Sequence, residues 1–237
     1  LFTYLKSAEL IKYASNAFLA PKITFINELA NLSEKIGVNI EDLSIGMGLE
    51  TRIGGRFLRA GPAYGGSCFP KDTRAIVDTA KEFKTDLSII KNVIKSNENR
   101  SKILLNRVSK LLKNKIKNKR ITFLGVTFKA NTDDMRESSS LVMIPSLISK
   151  GAKIKYYDPS GYKKDFDKFK NVSFSENIKS ACIDADMIII HTEWNDFKAL
   201  NFKKLSSKKN VIVYDMRHIL SPDTIKEDKI HDFGIVR

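Results

Sequence analysis

The 237-residue sequence predicts an α/β protein in two parts, a mainly helical first half and an open parallel-sheet second half. Two observations predict this. Up to Leu112 the apolar residues recur at helical spacing, apart from one glycine-rich stretch, and after Arg120 short apolar runs alternate with helical segments. A chain of this length is better divided into two domains than packed round one core, and the change of pattern puts them at 1–112 and 119–237.

Leu10, Ile11, Ala14, Ala17, Phe18, Phe25, Ile26, Leu29 and Leu32 place a long helix over residues 7–35, with Gly37 as its stop. Pro21 falls inside it, removes one backbone hydrogen bond and predicts a kink near Phe18. Residues 46–66 hold seven of the twelve glycines, together with Pro62, and read as a loop with close backbone approaches. Helical spacing returns over 72–83 and 87–112, the second long enough to be a spine between the domains. Apolar runs at 121–126, 154–157, 187–191 and 211–215 then read as parallel strands joined by crossover helices. Ligands of such sheets bind beyond the carboxyl ends of the strands, here 127–136, 192–194 and 216–218. None of these strands is followed by GxGxxG, so a nucleotide held here is held without the usual dinucleotide signature.

Composition narrows the class. Apolar residues make up 42% and charged residues 29%, as in soluble globular proteins, and no apolar run approaches the roughly 18 residues of a membrane span. Residues 1–10 lack the layout of a secretory signal and read as a chain cut in mid-structure. Lys and Arg number 41 against 27 Asp and Glu, a net charge of +14, which suits an anionic ligand or nucleic acid. Residues 101–120 carry eight cations and no acid, five of them in a Lys/Asn pattern without interleaved aromatics. That reads as a helix end and solvated linker, and no nucleic-acid partner is expected. Cys68 and Cys182 are too few for a disulfide framework and wrongly spaced for zinc. No metal is expected, and a cytoplasmic setting fits.

The segment Ala63-Tyr64-Gly65-Gly66-Ser67-Cys68-Phe69-Pro70-Lys71-Asp72 carries the most chemistry. Paired glycines let the backbone come close to a ligand, and Pro70 with Asp72 suits the first turn of a helix. Cys68 then lies beside helix-terminal N–H groups and Lys71, surroundings that favour a thiolate. Cys182, within Ser180-Ala181-Cys182-Ile183, reads as inert core. Lys12 and Asn16 stand four apart and share a helix face, so a cation and an amide can point at one oxygen.

Gly65-Gly66-Ser67-Cys68-Phe69-Pro70-Lys71-Asp72 resembles the catalytic-cysteine signature of the UDP-glucose/GDP-mannose dehydrogenase family. Three further segments resemble the same family in the same order: residues 7–19, its central helix; Arg52-Ile53-Gly54 with Phe57-Leu58, its sugar-nucleotide loop; and Gly125 through Phe128-Lys129 to Ser138, the start of its carboxy-terminal domain. The resemblance implies a central helical dimerisation domain followed by a Rossmann-like UDP-binding domain. It implies oxidation of a sugar C6 alcohol to a carboxylate in two hydride transfers to NAD. Ser67 before the cysteine, rather than His, is most similar to the UDP-glucose branch, so UDP-glucose is the expected substrate; GDP-mannose and UDP-N-acetylhexosamines are the alternatives.

Residue by residue, the resemblance makes Cys68 the nucleophile toward the aldehyde, Lys12 and Asn16 the donors to the oxyanion, and Asp72 a base for the hydrolytic water. Donors preorganised in this way are commonly worth about 2.7 to 4 kcal/mol each. Substrate contacts are expected from Arg52, Phe57, Leu58, Arg59, Gly61, Tyr64, Gly65 and Lys129, with Arg52 reaching a partner's site in a homodimer. Lys71 and Arg136, together with Cys68, are expected near NAD. Trp194 could edge the nucleotide pocket or belong to the core. The family's amino-terminal NAD domain would precede Leu1, so residues 1–237 alone are expected to bind nucleotide sugar weakly without turning over. Pro21 and Pro62-Ala63 depart from the commonest family residues. A non-catalytic nucleotide-sugar or nucleic-acid binding module is the reading of a different class.

Overall fold

The computed structural model describes residues 2–221 and Thr224. Helices α1 (Leu5–Ile36), α2 (Ile40–Leu49), α3 (Phe69–Glu82) and α4 (Ser88–Leu111) come first. Then follow β1 (Arg120–Leu124), α5 (Ser140–Ser149), β2 (Lys153–Tyr157), β3 (Val172–Phe174), α6 (Ile178–Cys182), β4 (Met187–Ile190), α7 (Phe202–Leu205) and β5 (Ile212–Asp215). Helix α1 continues through Pro21 and ends where expected: Gly37 adopts φ 79° and its N–H donates to the Ser33 carbonyl. Helix α1 packs on α2, α3 and α4, and its buried residues are mostly small or polar, Ala17, Ala20, Thr24, Asn27, Ala30 and Ser33 beside the larger Ile26.

The glycine-rich stretch is not all loop. Gly46 and Gly48 lie in α2, which the Asn39 side chain caps by accepting from the Glu41 N–H, with Glu41 and Asp42 in the first turn. Gly48 is there for space: a Cβ would stand 2.9 Å from the Gly55 Cα, in the loop that folds back on the helix.

The five strands found among the described residues form one parallel sheet in the order β3-β2-β1-β4-β5. Ile121 of β1 faces Ile154 on one side and Met187 on the other. Edge strand β3 went unseen in the sequence because Val-Ser-Phe has no apolar run. The chain turns away in opposite directions from β1 and β4, which makes their carboxyl ends the switch point of the sheet. Asp158, just after β2 on the other side of β1, has its Oδ2 accepting from the Val126 and Thr127 N–H groups that follow β1. These are donors that a phosphate would otherwise use, in keeping with the missing glycine fingerprint.

Two arginines brace the interior, buried Arg100 within the helical half and half-buried Arg217 within the sheet half. Arg100 of α4 donates to the Gly61 and Asn27 carbonyls and to Asn31 Oδ1; burial, with Arg107 nearby, pushes its pKa down to about 10. Arg217 donates to the carbonyls of His191 and Phe128 and pairs with Glu193 at 3.0 Å.

His191, wholly buried at the end of β4, is held neutral: burial first, then Arg217, pushes its pKa down to about 3. Its tautomer follows from its neighbours. Thr192 Oγ1 donates to the Thr127 carbonyl, so it accepts from His191 Nδ1–H, and Nε2 accepts from Ser139 Oγ at 2.7 Å. An unfolded histidine takes up a proton below about pH 6.5, whereas this one stays neutral until about 3, so stability is lost as pH falls through that window. In urea denaturation, the loss between pH 7 and pH 5 is expected to be smaller in His191→Gln by about 2 kcal/mol. Equal losses in the two proteins would show that His191 is not the group responsible.

Candidate active site

Cys68 is the N-cap of α3, with an exposed thiol. Pro70 and Asp72 stand in the first turn, as the sequence implied, although α3 starts at Phe69 rather than 72. The Asp72 N–H closes that turn on the Cys68 carbonyl at 2.8 Å. The Asp72 carboxylate is fully buried and turns toward α1. Asn16 Nδ2 donates to its Oδ2 at 2.6 Å, and Lys12 Nζ is 4.0 Å from the same oxygen. Oδ1 has no hydrogen-bond partner, only the Lys71 ammonium at 3.8 Å. Lys12, Asn16, Lys71 and Asp72, drawn from two segments more than fifty residues apart, thus form one cluster, one helical turn past Cys68. Asn16 and Asp72 are fixed within it, whereas the lysine head groups and the thiol face solvent.

The paired glycines serve a protein contact. A Cβ on Gly65 would lie 2.5 Å from the Glu137 carbonyl oxygen, and one on Gly66, where φ is +77°, 2.7 Å from the Phe128 ring. The Gly66 N–H donates to the Arg136 carbonyl at 2.8 Å. The cysteine loop is therefore seated on residues 128–137 of the sheet half. Ser67 Oγ, 3.7 Å from the Cys68 sulfur, and Phe69, whose ring meets those of Phe57 and Tyr64 edge-on, complete the surroundings of the thiol.

The expected substrate residues divide by environment. Arg52, Arg59 and Lys129 are exposed cations: Arg52 forks onto Glu50, and Lys129 lies over the Phe128 ring at 5.4 Å. Phe57 is partly exposed and held at φ 67°. Leu58 and Tyr64 are buried, and the Tyr64 backbone is clamped by the Asn97 side chain at both N–H and carbonyl. Gly61 is enclosed by protein, its N–H on Asn27 and its Cα face 3.0 Å from Arg217 Nη1 for an added Cβ. Gly61 and Gly65 thus hold the loop against its neighbours. Trp194 packs against the sheet core, its buried Nε1 without a hydrogen-bond partner.

Arg136 is exposed and forks onto Asp134 at 2.9 and 2.8 Å. That carboxylate above all holds its guanidinium above the ordinary range. Sequence reasoning missed Arg74 and Glu137, which pair at 2.8 Å across the junction. Glu137 stood in the quoted motif, but a partner 63 positions away leaves no local signal. Lys22 was missed as well; it pins the Arg52 loop by donating to the Ile53 and Gly54 carbonyls. Among the described residues no cluster of His, Cys, Asp or Glu could hold a metal ion, and no helix is long and apolar enough to cross a membrane.

Residues 6–99 match the central domain of the UDP-glucose/GDP-mannose dehydrogenase family, and residues 122–222 match that family's UDP binding domain. The chain belongs to this family. It is 43% identical over 226 residues to a UDP-glucose 6-dehydrogenase of Rhizobium meliloti, a match that covers 95% of this chain and 52% of that protein. It is 45% identical over 229 residues to one of Rickettsia conorii, covering 95% and 53%. Among solved structures, a UDP-glucose dehydrogenase of Pyrobaculum islandicum superposes with a TM-score of 0.84 at 30% identity, covering 97% of this chain and 51% of that one. The chain spans about half the length of the curated relatives it matches.

Proposed function

We propose that these residues form the substrate-binding and thiol-bearing part of an NAD-dependent enzyme that oxidises UDP-glucose to UDP-glucuronate. The observation that carries this reading is the exposed Cys68 thiol one helical turn before the buried Asp72 carboxylate, which Asn16 and Lys12 approach from α1. A simple binding module has no use for that set.

The first oxidation takes the C6 alcohol to an aldehyde. The Cys68 thiolate adds to this carbon, and the oxyanion of the thiohemiacetal is stabilised by the Lys12 ammonium and the Asn16 amide. The second oxidation converts the thiohemiacetal to a thioester on Cys68. Water then attacks with its proton passing to Asp72, whose Oδ1 has no hydrogen-bond donor competing for it. The carboxylate leaves and the thiolate is restored. The hydride acceptor for both oxidations would be bound NAD, whose phosphate charge the exposed cations Arg136 and Lys71 fit.

UDP is assigned to the exposed cations Lys129, Arg59 and Arg52. A homodimer is inferred from α1 and α2, where Phe18, Phe25, Leu32, Ile36, Ile45 and Leu49 remain exposed, and Arg52 would act in the partner's site. UDP-glucose is preferred because Ser67 precedes the cysteine and the curated relatives named above are UDP-glucose 6-dehydrogenases. The full-length protein, offered UDP-glucose, GDP-mannose and UDP-N-acetylmannosamine in parallel, is expected to form NADH fastest with UDP-glucose. Turnover with another sugar alone would reassign the substrate, and turnover with none would favour the binding module.

A further inference from the structure

We infer that Asp158, acting with Thr127, is a positioning residue for Lys129: its buried carboxylate fixes the bend after β1 that carries the Lys129 ammonium. The inference rests on the assignment of Lys129 to UDP.

The bend begins at Gly125, where φ is +78° and an added Cβ would stand 2.4 Å from the Thr192 Cβ, so only glycine lets the chain leave β1 there. From Val126 to Lys129 the backbone is held largely by side chains. Asp158 Oδ2 accepts from the Val126 N–H at 2.8 Å and from the Thr127 N–H at 3.3 Å. The four carbonyls follow in order. Val126 accepts from Ser140 Oγ, Thr127 from Thr192 Oγ1, Phe128 from Arg217 Nη2, and Lys129 from the Oγ1 of fully buried Thr127 at 2.9 Å.

Asp158 is itself fixed. Its Oδ1 accepts from the Ser160 N–H and hydroxyl, and the buried Lys163 ammonium donates to Ser160 Oγ at 2.8 Å. A buried carboxylate with a buried lysine behind it thus anchors a bend whose outward member is an exposed cation, lying over the Phe128 ring at 5.4 Å. A backbone fixed in advance lowers the cost of ordering the long side chain when it engages a diphosphate. The groups on both oxygens of Asp158 are donors. Asp158→Asn therefore keeps the shape but turns an NH2 group toward N–H donors in either orientation of the amide.

Titration calorimetry of UDP with the full-length protein tests this without relying on turnover. Lys129→Ala is expected to weaken UDP binding about fivefold, the upper range for an exposed ion pair, and Asp158→Asn about threefold. Once the Lys129 side chain is gone, Asp158→Asn is expected to weaken binding no further. A general loosening of the fold would weaken it equally in both backgrounds. Thr127→Val removes the bond to the Lys129 carbonyl; it is expected to follow Asp158→Asn, and takes its place should that variant not fold. Unchanged affinity in the variant used, or an equal loss with and without the Lys129 side chain, overturns the inference while Lys129 keeps its assignment. Wild-type affinity in Lys129→Ala would overturn both.

Discussion

Cys68→Ala is expected to lower carboxylate formation by the full-length protein on the order of 10⁴-fold or more, the scale seen when a nucleophile is deleted from a catalytic group that acts as a unit. The thiol is exposed and packs into no core, so the folded state should lose under about 0.5 kcal/mol. Cys182 cannot take over the reaction. It is fully buried beneath the sheet, where burial pushes its thiol up to about 12, and it stays a protonated core residue. A large loss of rate without loss of stability separates a chemical role for Cys68 from a structural one, and thermal melting beside steady-state kinetics reads both.

Asp72→Asn is expected to cost about 10² to 10⁴ in kcat, the range for removal of a general base. Its effect on KM should be small, because Asp72 is fully buried and offers substrate no exposed surface. The substitution keeps the shape and an acceptor for Asn16, but removes the charge that faces Lys12 and Lys71. Stability should fall by about 1.5 to 3 kcal/mol, the worth of a hydrogen bond to a charged group. A KM effect as large as the kcat effect would instead make Asp72 a substrate-binding residue.

The two predictions differ in how far the sequence foretold them. Cys68 was legible because its neighbours act locally: the glycines, Pro70 and Asp72 all report on one turn and one helix start. The spacing of Lys12 and Asn16 on one face of α1 was legible for the same reason. What Asn16 bonds to was not, since Asp72 lies 56 residues away and is brought there only by the packing of α1 on α3. The glycines misled twice. In α2 they appear inside a helix because Asn39 caps it and Gly48 makes room for a returning loop. At 65 and 66 they were read as space for a ligand, and the structure fills that space with Phe128 and Glu137. Composition shows that a chain can come close at a glycine, but not what comes close to it.

The parallel sheet was foretold by its apolar runs: β4 is buried along its whole length and β1 and β5 at all but their first residues, whereas β2 alternates and is buried only at Ile154 and Tyr156. Edge strand β3 is three residues long and half exposed, so it carries no such signature. The missing dinucleotide fingerprint proved informative: Asp158 occupies the N–H groups that such a fingerprint would offer.

The most direct test of the central claim is to count NADH formed per UDP-glucose consumed by the full-length protein and by Cys68→Ala, side by side. Two NADH per sugar in the wild type and no more than one in the variant is the predicted result, because the second oxidation acts on a carbon bonded to the Cys68 sulfur. Two NADH per sugar in both proteins would contradict the account, since the carboxylate would then form without that bond.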